Sequence, residues 1–546
     1  MGGAKEPMNQ MNKHKFQKLI YPIISLFFIL WGVLFIFRSS TIAIDGQRYF
    51  ILFDDAMISM RYAWNLSHGF GLVWNSFEYV EGYTNFLMTL FMALATLSGD
   101  KSSAVFIIQF FGIFLILGIA IVSKIIAEKF VEDEYSHNVS FVGFFTFICC
   151  LSYYPLVYWS LMGMETGLLT ILLLTSILFA FSYLTQKKER LLPILAINLG
   201  LLFLTRNDTL IYALIILVFI FWRMDKTRKG SKWFLISLSL FILILVGYEA
   251  FRYYYYNELI PNTYTLKLSG MPFFFRIQDG VSFIRFFFYG IAILTGISII
   301  DLFTKYKPSK ILLFAILLSA VSYQIYVGGD PWDYWRMLSP AMPGLFILFV
   351  VSIISIVDVF AKTVSFRTYY LRKPIIPIKY ASSFIGALFI VVGIYISNRG
   401  FLDELFLLTP PFQSQANWEN VNIAVALNDV TTNDASLAVF WAGTIPYYTG
   451  KKSIDCLGKS DKYIAQLPPD LSGKVSWEGM RSVPGHNKYD LNYSIIKNKP
   501  TYVQSFKWGG QDISSWAEVH YDNVTYKDVK LSLLKKSPEV YWDELD

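Results

Sequence analysis

The chain has 546 residues, of which 55% are hydrophobic and only 16% charged. Soluble domains carry about 25% charged residues, so this composition excludes a wholly soluble protein and points to a polytopic membrane one. The tail after Arg399 holds 14 Lys+Arg against 18 Asp+Glu, net −4, which leaves +11 of the total +7 on the apolar part. Basic loops on one side of a membrane account for that excess, and their scatter among short loops excludes a nucleic-acid-binding face.

The first element follows Lys13, Lys15 and Lys18 and runs from Leu19 to Phe37. It resembles a signal peptide but is long for one, and is expected to be an uncleaved first span. Further span-length apolar runs cover 83–97, 103–123, 139–159, 166–184, 191–204, 209–222, 233–251, 283–303, 311–328, 343–361 and 380–397. Basic connectors at the N-terminus, 187–190, 223–232, 305–310 and 362–379 belong together in the cytoplasm. Parity then demands an odd number of crossings between Arg38 and Lys187. The weakest run, 83–97, opens on polar Tyr83-Thr84-Asn85 and is expected to dip, lie flat or join 103–123. About eleven crossings result. The runs 191–204 and 209–222 are short enough to form a hairpin reaching partway.

The tail lacks any span-length run. Ser436–Phe440 and Thr501–Phe506 read as strands and Asn417–Leu427 as a helix. The expected fold is a polytopic α-helical module over 1–399, with a first outer loop at 38–82, and a soluble α/β domain over 400–546 on the outer face. Cys149 and Cys150 lie in an apolar run and Cys456 is alone, so neither a disulfide framework nor a zinc spacing is present.

This topology gathers distant polar residues on the outer face. Asp54 and Asp55 follow the first span directly. Adjacent helical residues diverge by about 100°, so one carboxylate can face a substrate while the other meets a cation or a backbone donor. A partly desolvated carboxylate suits a general base, although a helix N-terminus also favours Asp for its dipole alone. Arg206, Lys267 and Arg336 fall at span ends, where they can pair with these carboxylates or hold a lipid phosphate. Glu165 opens a span in Gly163-Met164-Glu165-Thr166. The loop Gly328 to Arg336 packs Asp330, Asp333 and Arg336 among aromatics, which fits an interfacial belt and also sugar binding. His486 lies in Pro484-Gly485-His486-Asn487-Lys488-Tyr489-Asp490; a lone histidine is most often structural. No Walker loop, nucleophile elbow or dinucleotide fingerprint is present.

Taken together, these residues resemble a family. Asp54-Asp55, Arg61-Tyr62, Gly69-Phe70-Gly71-Leu72-Val73-Trp74-Asn75 and Glu81-Gly82-Tyr83-Thr84-Asn85 look like the first outer loop of bacterial terminal arabinofuranosyltransferases, membrane glycosyltransferases of the GT-C class. Gly163 to Thr166 is similar to the family's Gly-Leu-Glu-Thr. Leu204-Thr205-Arg206-Asn207-Asp208 resembles Leu-Thr-Arg-Pro-[Asp/Glu], with Asn207 in place of proline. Pro261-Asn262-Thr263 with Lys267, the Gly328-Gly329-Asp330…Arg336…Pro340 loop, Ala442 to Tyr448, Asp455-Cys456-Leu457-Gly458 and Pro484 to Asp490 extend the likeness from Asp54 to about Tyr502.

The resemblance implies an inverting transfer of a sugar, arabinofuranose or another pentose or hexose, from a polyprenyl-phosphate donor to a cell-envelope glycan acceptor. Asp54 or Asp55 would be the base. Arg61, Arg206, Lys267 and Arg336 would bind the donor phosphate, and Trp74, Asn75, Glu81, Tyr83, Asn85, Glu165, Asp330 and His486 the substrates. No cofactor is certain; a divalent cation (Mg²⁺, Mn²⁺ or Ca²⁺) on Asp54, Asp55 and Asp330 is a candidate. The implied setting is a bacterial inner membrane, with the site and tail on the periplasmic side. Two other readings stand: a non-catalytic membrane protein, since the family is also similar to proteins assigned to flagellar motor control, and a lipid or glycan transporter.

Overall fold

Membrane-length helices dominate a computed structural model that describes residues 5–132, 139–370, 378–472 and 483–545. Among the described residues, seven helices are long and apolar enough to cross a bilayer: Leu19–Ser39, Lys101–Val131, Thr166–Gln186, Arg228–Tyr256, Phe273–Thr304, Pro308–Val327 and Ser339–Val359. The bent pair Val139–Ser152 and Tyr154–Leu161 makes an eighth if counted as one span. The eleven crossings expected from loop charge exceed this count. The expected crossings 191–204 and 209–222 form the short helices Leu191–Thr205 and Leu210–Arg223, and 380–397 falls in the helix Ile378–Asn398. Part of the basic connector 362–379 lies outside the described residues.

The run 83–97 contracts to the helix Phe86–Thr96, started at Asn85. Eleven residues rise about 16 Å, half the thickness of a hydrocarbon core. The expected continuous span 139–159 is instead broken, with a 55° bend. Pro155 stands in the first turn of the second piece; it lacks an N–H and would clash with the turn before it, so the first helix cannot run through. The break delivers Gly163 (φ +78°) and Glu165 to the head of Thr166–Gln186, and Met162 O accepts from Phe53 N at 3.0 Å. Leu191–Thr205 and Leu210–Arg223 flank a tight turn, Asn207–Thr209, which sets Arg206 at their shared end.

The tail carries a five-stranded mixed sheet, in order Lys452–Asp455, Ser436–Val439, Tyr502–Val503, Val529–Leu534, Tyr521–Tyr526. The first three strands are parallel and the last two antiparallel additions. Leu437, Ala438, Val439 and Tyr502 are buried on it, and the helix Ser414–Val430 contributes Val421, Ala424, Val425 and Leu427 to the core. Parallel strands leave their carboxyl ends on one edge, the usual place for binding loops in such sheets. The first outer loop meets this sheet at two places, beyond the carboxyl end of Ser436–Val439 at Ala442 and near the amino end of Lys452–Asp455 at Ser453. Trp74 Nε1 donates to Ala442 O (3.2 Å), and Asn75 exchanges bonds with Ser453, Nδ2 to O at 2.7 Å and N to Oδ1 at 3.1 Å.

Candidate functional site

Asp54 and Asp55 open the helix Asp54–Ser67, and the 100° between them separates two environments. Asp54 turns to the tail and accepts from Gly443 N (3.1 Å) and Thr444 N (2.9 Å), the first donors of the short helix Thr444–Thr449. A Cβ on Gly443 would lie 2.0 Å from Asp54 O, so only glycine admits this approach. Burial raises the Asp54 carboxyl, opposed by the Thr444 N–H and Lys459.

Asp55 turns the other way, onto a cavity of about 570 Å³. Its Oδ2 accepts from Arg336 Nη1 at 2.9 Å and its Oδ1 from Lys459 Nζ. Burial by itself would raise this carboxyl, but Lys459, Arg336 and Lys267 outweigh it and hold Asp55 well below the ordinary carboxylate range. Arg336 is locked further by a bidentate bond to Asp330, Nε to Oδ2 at 2.6 Å and Nη2 to Oδ1 at 2.9 Å. Lys267 Nζ reaches Asp330 Oδ1 only at 4.0 Å. Burial, opposed by Asp330 and reinforced by Arg336, pushes the Lys267 ammonium down to about 8.

A second polar group lines the same cavity. Arg206 donates to Glu165 Oε1 (2.7 Å) and to both oxygens of Asp208 (3.1 and 2.8 Å). Glu165 Oε2 accepts from Asn85 Nδ2 at 3.1 Å, and Asn85 Oδ1 accepts from Ser59 Oγ at 2.9 Å. Tyr83 also lines the cavity, its hydroxyl 3.1 Å from that of Tyr256. Apolar side chains line it as well: Leu210, Leu214, Leu259, Ile260 and Leu266. Leu214, Leu259 and Ile260 are at least half exposed.

Residues 411–534 match a family described as a domain of unknown function, DUF8728. No curated protein matches the sequence. The structure of ArnT from Cupriavidus metallidurans bound to undecaprenyl phosphate is similar over 96% of this chain and 98% of that one, with a TM-score of 0.55 at 10% identity. The Archaeoglobus fulgidus oligosaccharyltransferase tethered to an acceptor peptide is similar over 97% of this chain and 75% of that one, with a TM-score of 0.51 at 12% identity. The chain has the GT-C fold.

On that fold the residues picked from sequence divide into two groups. Asp55, Tyr83, Asn85, Glu165, Arg206, Lys267, Asp330 and Arg336 all line the one cavity. Others are corrected. Arg61 does not face it: the guanidinium is buried and gives four of its five N–H groups to Trp74 O (2.5 Å), Asn75 Oδ1 (2.9 Å), Lys451 O (2.8 Å) and Pro446 O. Trp74 and Asn75 are held on the tail sheet. Glu81 is buried against Arg252 Nε (2.6 Å) and the Tyr248 hydroxyl (2.9 Å), and Arg252 Nη2 continues to Asn207 Oδ1 at 3.0 Å. These four residues build the frame around the site rather than its wall.

His486 lies outside the cavity lining, with its ring centroid 5.5 Å from that of Trp332. Burial, with Lys459 nearby, pushes its imidazole down to about 3, so it is neutral at neutral pH.

The carboxylates suggested for a divalent cation do not fit one. Asp54 faces backbone donors, Asp330 gives both oxygens to Arg336, and Asp55 gives its two to Arg336 and Lys459. Among the described residues no group of three or more His, Cys, Asp or Glu is placed to hold a metal. Sequence reasoning missed Lys459, Ser59 and Arg252.

Proposed function

We propose that the protein is a membrane glycosyltransferase that moves a sugar from a polyprenyl-phosphate donor to a hydroxyl of a cell-envelope glycan, with inversion. The observation that carries this reading is the mixed lining of the cavity, which combines a carboxylate, Asp55, beside Arg336, Lys267 and Lys459 with the half-exposed apolar side chains Leu214, Leu259 and Ile260. A lipid-linked phosphate is amphiphilic in the same sense, and the prenyl chain would run along Leu214, Leu259 and Ile260 with its phosphate at the cations. The GT-C fold supports the reading, as does the undecaprenyl phosphate bound by ArnT.

In the proposed reaction the acceptor hydroxyl gives its proton to Asp55 while its oxygen attacks the anomeric carbon. The anomeric C–O bond breaks on the opposite face, and its electron pair leaves with the phosphate. Preorganised cations favour the charge that develops there. Arginine 206 stands with Glu165 and Asp208 on the same wall and orients that side of the cavity. The finer assignments, arabinofuranose as the sugar and an outward-facing site in a bacterial inner membrane, follow the motif resemblance and the basic loops. The test is to incubate purified protein with polyprenyl-phosphate-linked arabinose, other pentoses and hexoses, and envelope glycan, and to measure released polyprenyl phosphate. Release with one donor, dependent on glycan and absent in Asp55→Asn, supports the proposal; no release with any donor counts against it.

A further inference from the structure

Lys459 belongs to the tail, 404 residues from Asp55, yet it reaches the cavity through a turn that its own Asp455 and the distant Asn262 hold in place against Gly82. Asp455 folds the turn from inside: Oδ1 accepts from Leu457 N (3.0 Å) and Gly458 N (3.1 Å), and Oδ2 from Ser460 N (2.8 Å). Asn262, from the outer helix Asn262–Leu268, clamps it from the membrane side, its Nδ2 within 2.9 Å of both Gly458 O and Lys459 O. Gly82 makes room for it, since a Cβ there would lie 2.4 Å from Ser460 Oγ and 2.9 Å from Lys459 O. The backbone of Lys459 is thus fixed while its side chain ends on Asp55.

The cations of the cavity fall into two kinds. Arg206 and Arg336 are each bonded to both oxygens of one carboxylate and to one oxygen of a second. Their planar forks are committed and serve as frame. The lysines are held far less. Lys267 touches Asp330 only at 4.0 Å, and the carboxylate that Lys459 meets is Asp55. An ammonium on a four-carbon stem can swing to a new anion without rearranging a bidentate pair. The lysines are therefore the cations free to follow an incoming phosphate.

The pairing also carries a chemical conflict. With Arg336 on one oxygen and Lys459 on the other, both oxygens of Asp55 are occupied by donors that stabilise its charge, the opposite of what proton acceptance needs. A base in that state becomes useful once one partner leaves. We propose that Lys459 is a donor-phosphate ligand that caps Asp55 in the ligand-free protein and moves to the phosphate when the lipid donor binds, so that the base is uncovered only beside a loaded donor. This rests on the lipid-phosphate reading above and deepens it. In the step that follows, the acceptor proton goes to the freed Asp55 Oδ1, the acceptor oxygen bonds to the anomeric carbon, and the cleaved C–O pair stays on the phosphate between Lys459 and Lys267. Asp55 then releases that proton to solvent, and Lys459 returns to it as the product phosphate departs.

The lock makes Asp55 and the phosphate competitors for one ammonium, and binding measurements alone expose that. The experiment titrates full-length protein in detergent with undecaprenyl phosphate, followed by intrinsic tryptophan fluorescence, for wild type, Asp55→Asn, Lys459→Met, Lys459→Arg and the two double variants with Asp55→Asn. Releasing a charged hydrogen bond is worth about tenfold in affinity. Asp55→Asn is expected to bind about tenfold more tightly than wild type, and Lys459→Met about tenfold more weakly. The gain from Asp55→Asn should vanish in the Lys459→Met background and persist in Lys459→Arg, which keeps the cation should the methionine variant fold poorly. A residue that merely staples the tail to the helix would give no tightening on loss of its partner. No gain in Asp55→Asn, or an equal gain with and without the Lys459 charge, overturns the lock while leaving the lipid-phosphate reading intact. Failure of wild type to bind undecaprenyl phosphate at all overturns both. Displacement of the lipid by inorganic phosphate at equal concentration overturns the assignment to a lipid-borne phosphate.

Discussion

Removing Glu81 or Arg252 singly should destabilise the protein more than removing both. The pair is buried, with side chains 1% and 2% exposed, at a 2.6 Å contact between the first outer loop and the helix Arg228–Tyr256. Breaking a buried pair from one side costs about 3–5 kcal/mol because a charge is left without its partner. The two single variants should differ. In Glu81→Leu the guanidinium keeps Glu249 at 2.7 Å and Asn207 at 3.0 Å, and Glu249 is 38% exposed, so the cost falls near the low end, about 3 kcal/mol. In Arg252→Met the Glu81 carboxylate keeps only the Tyr248 hydroxyl, and the cost rises to about 5 kcal/mol. Glu81→Leu/Arg252→Met removes both charges and leaves the Tyr248 hydroxyl and Asn207 short of a partner, a loss of about 1–2 kcal/mol. The assay is the thermal unfolding midpoint and the monodisperse fraction after heating in one detergent. Wild-type midpoints for both singles, or a double variant that loses as much as the two singles together, would refute the reasoning.

Asp54→Asn should lower the unfolding midpoint, by about 1–3 kcal/mol in stability, because one N–H of Gly443 or Thr444 would meet an amide NH₂, while transfer per folded molecule persists; Asp55→Asn, whose amide NH₂ would meet Lys459 or Arg336, should also melt lower but lose transfer at equal folded protein, and the reverse result in transfer assays on matched folded protein would contradict the placement of the two carboxylates. Lys267 gives a pH dependence. Its ammonium is cationic below about 8 and neutral above, so affinity for undecaprenyl phosphate should fall as pH rises through about 8 and hold to higher pH in Lys267→Arg. Titrations at a series of pH values check this. Arg61→Met should orphan the carbonyls of Trp74, Pro446 and Lys451 and loosen the tail from the first loop, seen as faster limited proteolysis at the junction with the cavity residues unchanged.

Much of this molecule is readable from its residues. Apolar runs and basic loops gave the membrane class, and the convergence of Glu165, Arg206, Lys267, Asp330 and Arg336 on one face followed from parity alone. The motif spacing pointed to Asp54-Asp55 but held nothing to choose between them. That choice is made by Gly443 and Thr444, almost 390 residues away, whose N–H groups take one carboxylate out of the cavity. Arg61, Trp74, Asn75 and Glu81 look like site residues in sequence because a polar outer loop can serve a substrate or a neighbouring element equally well; the tail takes the first three and Arg252 takes Glu81. The break at Pro155 was legible in principle, since proline in an apolar run marks a first turn. Lys459 had one faint signal, a cation directly after Asp455-Cys456-Leu457-Gly458, but its partner is a tertiary contact that no local pattern encodes.

The central claim is that Asp55 serves transfer of a sugar from a lipid-linked donor. Its most direct test compares, by mass spectrometry, the envelope glycans of cells carrying wild type and Asp55→Asn at matched protein level. The account predicts that the variant cells lack one sugar residue, whose mass names the donor sugar. Identical glycans at equal expression would contradict it and favour a membrane protein without catalysis.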